Sequence, residues 1–199
     1  MGDHMRRIAF FGGSFDPIHL GHLNVIIRLL ELKNLDHLYI CPVNCSPFKL
    51  DTPPSVSGEH RKAMIELAIE GIDRVSCLDD ELKREGPSYT FDTVKALMER
   101  EEGECFLILS DDAALHFDDW KEAEALLELA QPLIVPRRPF AARAPFPEKY
   151  SVLFTKSYCP IPFFEVSSTE VRERLSKKLN CSHLIPNIVL DYISKNRLY

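Results

Sequence analysis

The chain has 199 residues, 45% of them hydrophobic and 27% charged, with a formal net charge of −6. That length and apolar content suffice for one sizeable core, while the acidic balance argues against a general nucleic-acid binder, which needs a basic face to displace counterions from phosphates. No apolar run reaches the length that spans a bilayer and no secretory leader is visible, so a cytoplasmic protein with no membrane partner is expected.

In chain order, Met1-Gly2-Asp3-His4 ahead of Met5 reads as an expression-tag remnant, leaving residues 5–199 as one domain. Ile8 to Phe11 reads as a strand, Leu20 to Leu32 carries apolar residues at helical spacing, and His37 to Cys41 is a second strand. A polar, proline-rich loop over 42–56 leads to a helix through Ile69 with Ser57 as its N-cap, then to a strand over Val75 to Leu78. Tyr89 to Glu99 reads as a helix with Thr90 as a candidate N-cap, and Cys105 to Leu109 is a continuous apolar run suited to a strand buried on both faces. A helix over Asp118 to Leu129, a strand over Pro132 to Val135 and a loop-rich stretch over 137–162 come next. A last strand over Phe163 to Val166 and helices over Thr169 to Lys178 and Pro186 to Lys195 complete the reading. Strand and helix alternating in this way predict an α/β fold of the Rossmann-like kind: a doubly wound parallel sheet with helices on both faces.

The six cysteines, Cys41, Cys45, Cys77, Cys105, Cys159 and Cys181, include no Cys-x-x-Cys pair, so reduced thiols and no metal site are expected. Charge is unevenly spread. Residues 137–178 hold nine Lys and Arg against four Glu, a neighbourhood a polyphosphate would favour.

The stretch Gly12-Gly13-Ser14-Phe15-Asp16-Pro17-Ile18-His19-Leu20-Gly21-His22 joins the first strand to the first helix. Paired glycines let the backbone come close to a ligand, and the N–H groups and positive end of the helix attract anions. His19 and His22 share one face of the first turn, where each imidazole can donate to a phosphate oxygen. A neighbouring anion is expected to raise their pKa above about 6.5. In a parallel sheet the loops at the carboxyl ends of the strands gather around one crevice, which also brings in 42–49, Ser110 to Asp112, Arg137 and Arg138, and Ser167 to Thr169.

These residues are similar to the first signature of the His-x-Gly-His nucleotidyltransferase superfamily, and Val166-Ser167-Ser168-Thr169-Glu170-Val171-Arg172 resembles its second, Ile-Ser-Ser-Thr-x-x-Arg. Within it, Gly86-Pro87-Ser88-Tyr89-Thr90-Phe91-Asp92-Thr93, the spacing of Asp112 and Trp120, and Arg137-Arg138-Pro139 resemble the bacterial nicotinate-nucleotide adenylyltransferases. The resemblance implies adenylyl transfer from ATP to nicotinate mononucleotide, with Mg2+ accompanying the ATP. It implies catalytic roles for His19, His22, Lys49 and Arg172. ATP would meet Gly12, Gly13, Ser14, Phe15, His22, Ser110, Asp112, Ser168, Thr169 and Arg172, and the mononucleotide would meet Tyr89, Thr90, Trp120 and Arg138. Rival readings are the same chemistry on nicotinamide mononucleotide or phosphopantetheine, and a nucleotide sensor without turnover; a homo-oligomer stays open. Three positions depart from the family pattern: Ser110 stands where glycine is usual, Asp111 where a small residue is usual, and Phe48 where many members carry histidine.

Overall fold

The computed structural model describes residues 5–48, 53–137 and 145–199. The first strand, β1 (Arg7–Gly13), sends alternate side chains to opposite faces: Ile8 and Phe10 enter one apolar cluster and Ala9 enters another. The same division runs through β2 (His37–Pro42), β4 (Glu104–Ser110) and β5 (Gln131–Val135), so each face of the sheet carries its own core. With β3 (Val75–Cys77), these strands form a fully parallel sheet in the order β3-β2-β1-β4-β5.

Helices cover both faces, as the alternation predicts. One face is packed by α1 (Leu20–Leu32), α2 (Gly58–Ile69), α7 (Ser168–Ser176) and α8 (Asn187–Asn196). The other is packed by α3 (Thr90–Met98), α5 (Ala123–Leu129) and α6 (Ser151–Lys156). The N-cap Ser57 accepts a hydrogen bond from the His60 amide at 3.3 Å, as expected for the start of α2. Gly103, in the turn that enters β4, has φ +133°, and a Cβ there would lie 2.1 Å from the Arg6 carbonyl oxygen. The chain can pass β1 at that point only with glycine.

Four local expectations change. Phe163 to Val166 is not a strand; the neighbour of β5 is a single parallel bridge between Ile134 and Tyr158. Prolines at 160 and 162 deny the ladder two donors, and the segment instead crosses α1, where Asn24 Nδ2 donates to the Pro162 carbonyl at 2.9 Å. The helix expected over 118–129 is divided, with a 3-10 turn at Phe117–Asp119, extended Trp120 and left-handed Glu122 at φ 51° ahead of α5. Tyr89, not Thr90, is the N-cap of α3, without a side-chain capping bond. The short helices α4 (Asp111–Ala114) and α6 lie where loop was expected. In α6 a single anchor, Phe154, is buried against Tyr150 and Phe117 at ring distances of 5.4 and 5.3 Å. No described helix is long and apolar enough to cross a membrane.

Candidate active site

The strand order reverses between β1 and β4, and the crevice beyond their carboxyl ends opens into a cavity of about 580 Å3. Gly12, Gly13, Ser14, Phe15, His19 and His22 line one side of it, and Ser168, Thr169 and Arg172 another. The two signatures are stitched together. Ser168 Oγ donates to the Pro17 carbonyl at 2.9 Å, and Arg172 Nη1 donates to the Asp16 carbonyl at 2.7 Å.

The start of α1 is closed by its two histidines. His22 N–H donates to His19 Nδ1 at 3.3 Å while His19 N–H donates to His22 Nδ1 at 3.2 Å, a reciprocal capping box built from imidazoles. Both rings are thereby held as Nδ1 acceptors, so in the neutral form each carries its proton on Nε2, turned away from the helix backbone. The rings stack at 3.7 Å between centroids. Burial, reinforced by the Arg137 charge, pulls the His19 pKa down to about 3; burial, His19 and Arg137 together lower that of His22. Desolvation and the nearby positive charge both oppose protonation of the pair. The helix end also offers fewer free amides than its sequence implies, since Leu20 N–H already donates to the Leu184 carbonyl at 2.9 Å. The two Nε2–H groups and the Gly21 amide are therefore the donors this helix start presents to the cavity.

Asp16 is the joint beneath them. Its Oδ1 accepts from the Tyr199 hydroxyl at 2.7 Å, its Oδ2 accepts from Ser55 N–H at 2.6 Å, and Arg172 Nη1 lies 3.9 Å from the carboxylate. Burial and the bond to Asp16 push the Tyr199 phenol well above its ordinary value, so it remains a donor. Phe15, beside it, holds a left-handed φ of 47°, a strained conformation for an aromatic residue and one fixed by these surroundings.

On the far side of the cavity stand Tyr89, Thr90 and Trp120. Trp120 is half-buried, with Phe117 5.3 Å behind it and Phe48 6.4 Å across the opening. Phe48, 55% exposed, thus forms an aromatic wall where the family pattern has histidine. Ser110 also lines the cavity. Asp111 does not reach it, and its Oδ1 accepts from Arg137 N–H at 3.0 Å, tying the exit of β5 to that of β4. Asp112 likewise stands outside the lining, accepting from Ala113 N–H at 3.0 Å and pairing with Arg137 at 3.5 Å. Lys49 and Arg138 lie outside the described residues.

Sequence reasoning passed over Arg61, 1% exposed on α2, whose Nη1 donates to the carbonyls of Ser14 at 2.8 Å and Val43 at 2.7 Å. Its signal was present: an arginine in register with buried Met64, Ile65 and Ala68 breaks an otherwise apolar stripe. Asp16 stood within the quoted motif, but nothing local marks it as the acceptor for residues 55 and 199. The six cysteines are free thiols. Among the described residues no group of His, Cys, Asp and Glu could hold a metal ion.

The cytidylyltransferase-like family model matches residues 10–174. The chain is 37% identical to the nicotinate-nucleotide adenylyltransferase of Bacillus subtilis (strain 168), over 98% of this chain and 99% of that protein. It is 36% identical to the probable nicotinate-nucleotide adenylyltransferase of Bacillus licheniformis, with the same two coverages of 98% and 99%. Among solved structures, the Plasmodium falciparum nicotinic acid mononucleotide adenylyltransferase complexed with NaAD matches with a TM-score of 0.77 at 24% identity, covering 98% of this chain and 97% of that one. At that identity the likeness is one of fold.

Proposed function

Because the chain belongs to the cytidylyltransferase-like family, and within it to the nicotinate-nucleotide adenylyltransferases, we propose that it transfers the adenylyl group of ATP to nicotinate mononucleotide, giving deamido-NAD and pyrophosphate. The observation that carries this reading is the convergence of both signatures on one cavity, with a second, aromatic-walled side facing them. The mononucleotide phosphate oxygen attacks the α-phosphorus in line, a new P–O bond forms, and the bond to the bridging oxygen breaks to release pyrophosphate. The attacking oxygen is already anionic, so no protein nucleophile or base is required; positioning and charge neutralisation carry the rate.

His19 and His22 act as neutral Nε2–H donors to oxygens around the α-phosphorus, and each well-aimed donor supplies about 3 kcal/mol to the transition state. Arg172 and Thr169, joined by an Nη2–Oγ1 bond of 3.3 Å, hold the leaving phosphates, and Lys49 adds a cation to the same chain. Gly12, Gly13, Ser14 and Phe15 meet the nucleotide through the backbone, with Ser110 and Ser168 beside them. For Asp112 to meet the ribose of ATP, its carboxylate would have to exchange Arg137 for the sugar hydroxyls. Tyr89 and Thr90 receive the nicotinate carboxylate, Trp120 stacks on the pyridine ring, and Arg138 opposes the mononucleotide charge.

Magnesium fits as an ion carried by ATP. Asp16, Asp111 and Asp112 all have oxygens engaged by protein donors, which leaves phosphate oxygens and water as its ligands. Bound there, it would supply charge neutralisation for the leaving pyrophosphate. The test mixes protein, ATP, magnesium and nicotinate mononucleotide, and follows pyrophosphate and dinucleotide together. Both are expected in equal amounts; no release above a His22→Ala control refutes the reading, and faster turnover of nicotinamide mononucleotide replaces the acceptor.

A further inference from the structure

Arg61 is the largest side chain among those fully buried, and folding alone gives no account of it. An apolar residue would complete the α2 stripe, whereas the guanidinium costs desolvation and leaves Nε without a partner among the described residues. Its surroundings explain it. Nη1 holds two carbonyls that belong to two different loops, Ser14 after β1 and Val43 after β2, and Val43 N–H closes the same junction by donating to the Gly13 carbonyl at 2.9 Å.

Each carbonyl fixes a peptide plane, and in a trans peptide the N–H points opposite to the C=O. Holding the Ser14 carbonyl back toward α2 turns Phe15 N–H outward from Arg61, on the loop that lines the nucleotide side of the cavity. Holding the Val43 carbonyl turns Asn44 N–H the other way, and there it donates to Ser88 Oγ at 3.1 Å. Ser88 N–H in turn donates to the Cys45 carbonyl at 2.8 Å, so the residue just ahead of Tyr89 and Thr90 is set by the same junction. Asp16 provides the nearby negative charge that offsets the buried cation.

We propose that Arg61 is a positioning residue that sets both halves of the site at once: the Phe15 amide for the nucleotide, and the Ser88 turn for the acceptor. The inference rests on the proposed function, and wild-type turnover in the same assay tests that reading separately. Arg61→Lys keeps the charge on a shorter stem without the planar fork. It is expected to raise KM about tenfold for both ATP and nicotinate mononucleotide, and to change kcat less than about threefold, because the histidine pair is untouched. A merely structural role predicts the opposite split, since a partly unfolded sample lowers kcat and leaves KM alone. Arg61→Met should exceed Arg61→Lys in the same direction, and Ser88→Ala should raise KM for the acceptor only. If Arg61→Lys moves neither KM, or only one of the two, the proposal is overturned.

Discussion

Acidification should destabilise this protein through His19 in a way one substitution can isolate. The His19 pKa lies near 3 in the folded chain, against about 6.5 when unfolded. Between those values the unfolded chain binds a proton that the folded chain refuses, so stability is complete above pH 6.5 and falls as pH drops. From pH 7.5 to pH 5 the loss due to His19 alone works out at about 2 kcal/mol, or roughly 4–8 °C in Tm for a chain of this size. Asparagine is a good N-cap and does not titrate, so His19→Asn keeps an acceptor for the His22 amide and removes the proton site. Urea midpoints of both proteins at pH 7.5 and 5 measure the effect. Wild type is expected to lose about 2 kcal/mol more than the variant over that interval; equal losses would show that burial does not hold this imidazole neutral.

Gly21→Ala places a Cβ 2.8 Å from Val166 Cγ1 and 3.1 Å from His19 Cε1 and Nδ1. The gain in helix propensity of about 1 kcal/mol nearly cancels overpacking of about 1–3 kcal/mol, so Tm should change little while displacement of the His19 ring lowers kcat at least tenfold; unchanged kcat would contradict this. Gly103→Ala meets the Arg6 backbone with no side chain to yield, and urea unfolding should show a loss above ~3 kcal/mol. Trp120→Ala should raise KM for the acceptor about tenfold with KM for ATP unchanged, and initial-rate kinetics with each substrate varied will separate the two.

The strands and long helices were legible because their signals are local: β4 is an unbroken apolar run, and α1 repeats its apolar residues at helical spacing. Phe163 to Val166 misled for the same reason, since apolarity suggests a strand but says nothing of whether a ladder edge is within reach. Trp120 interrupts an amphipathic pattern because it serves the cavity wall, a demand that periodicity does not register. The chemistry-bearing histidines were visible in the motif, yet the depth of their burial and the nearness of Arg137 were not. Both are products of the fold. Arg61 and Asp16 act through partners far along the chain, so only coordinates could show which carbonyls and hydroxyls they meet.

The bonds that join the glycine turn to Ser168, Arg172 and Tyr199 span 151, 156 and 183 residues of sequence. Such closures come late during synthesis, after the sheet has a template on which to dock them. A ribosome-bound chain that stops short of residue 165 would display the histidine cap with no opposing clamp. Retention of nascent chains on an immobilised nucleotide should thus begin abruptly, only after the second signature has cleared the ribosome and Tyr199 has docked on Asp16, and make substrate capture a readout of finished assembly.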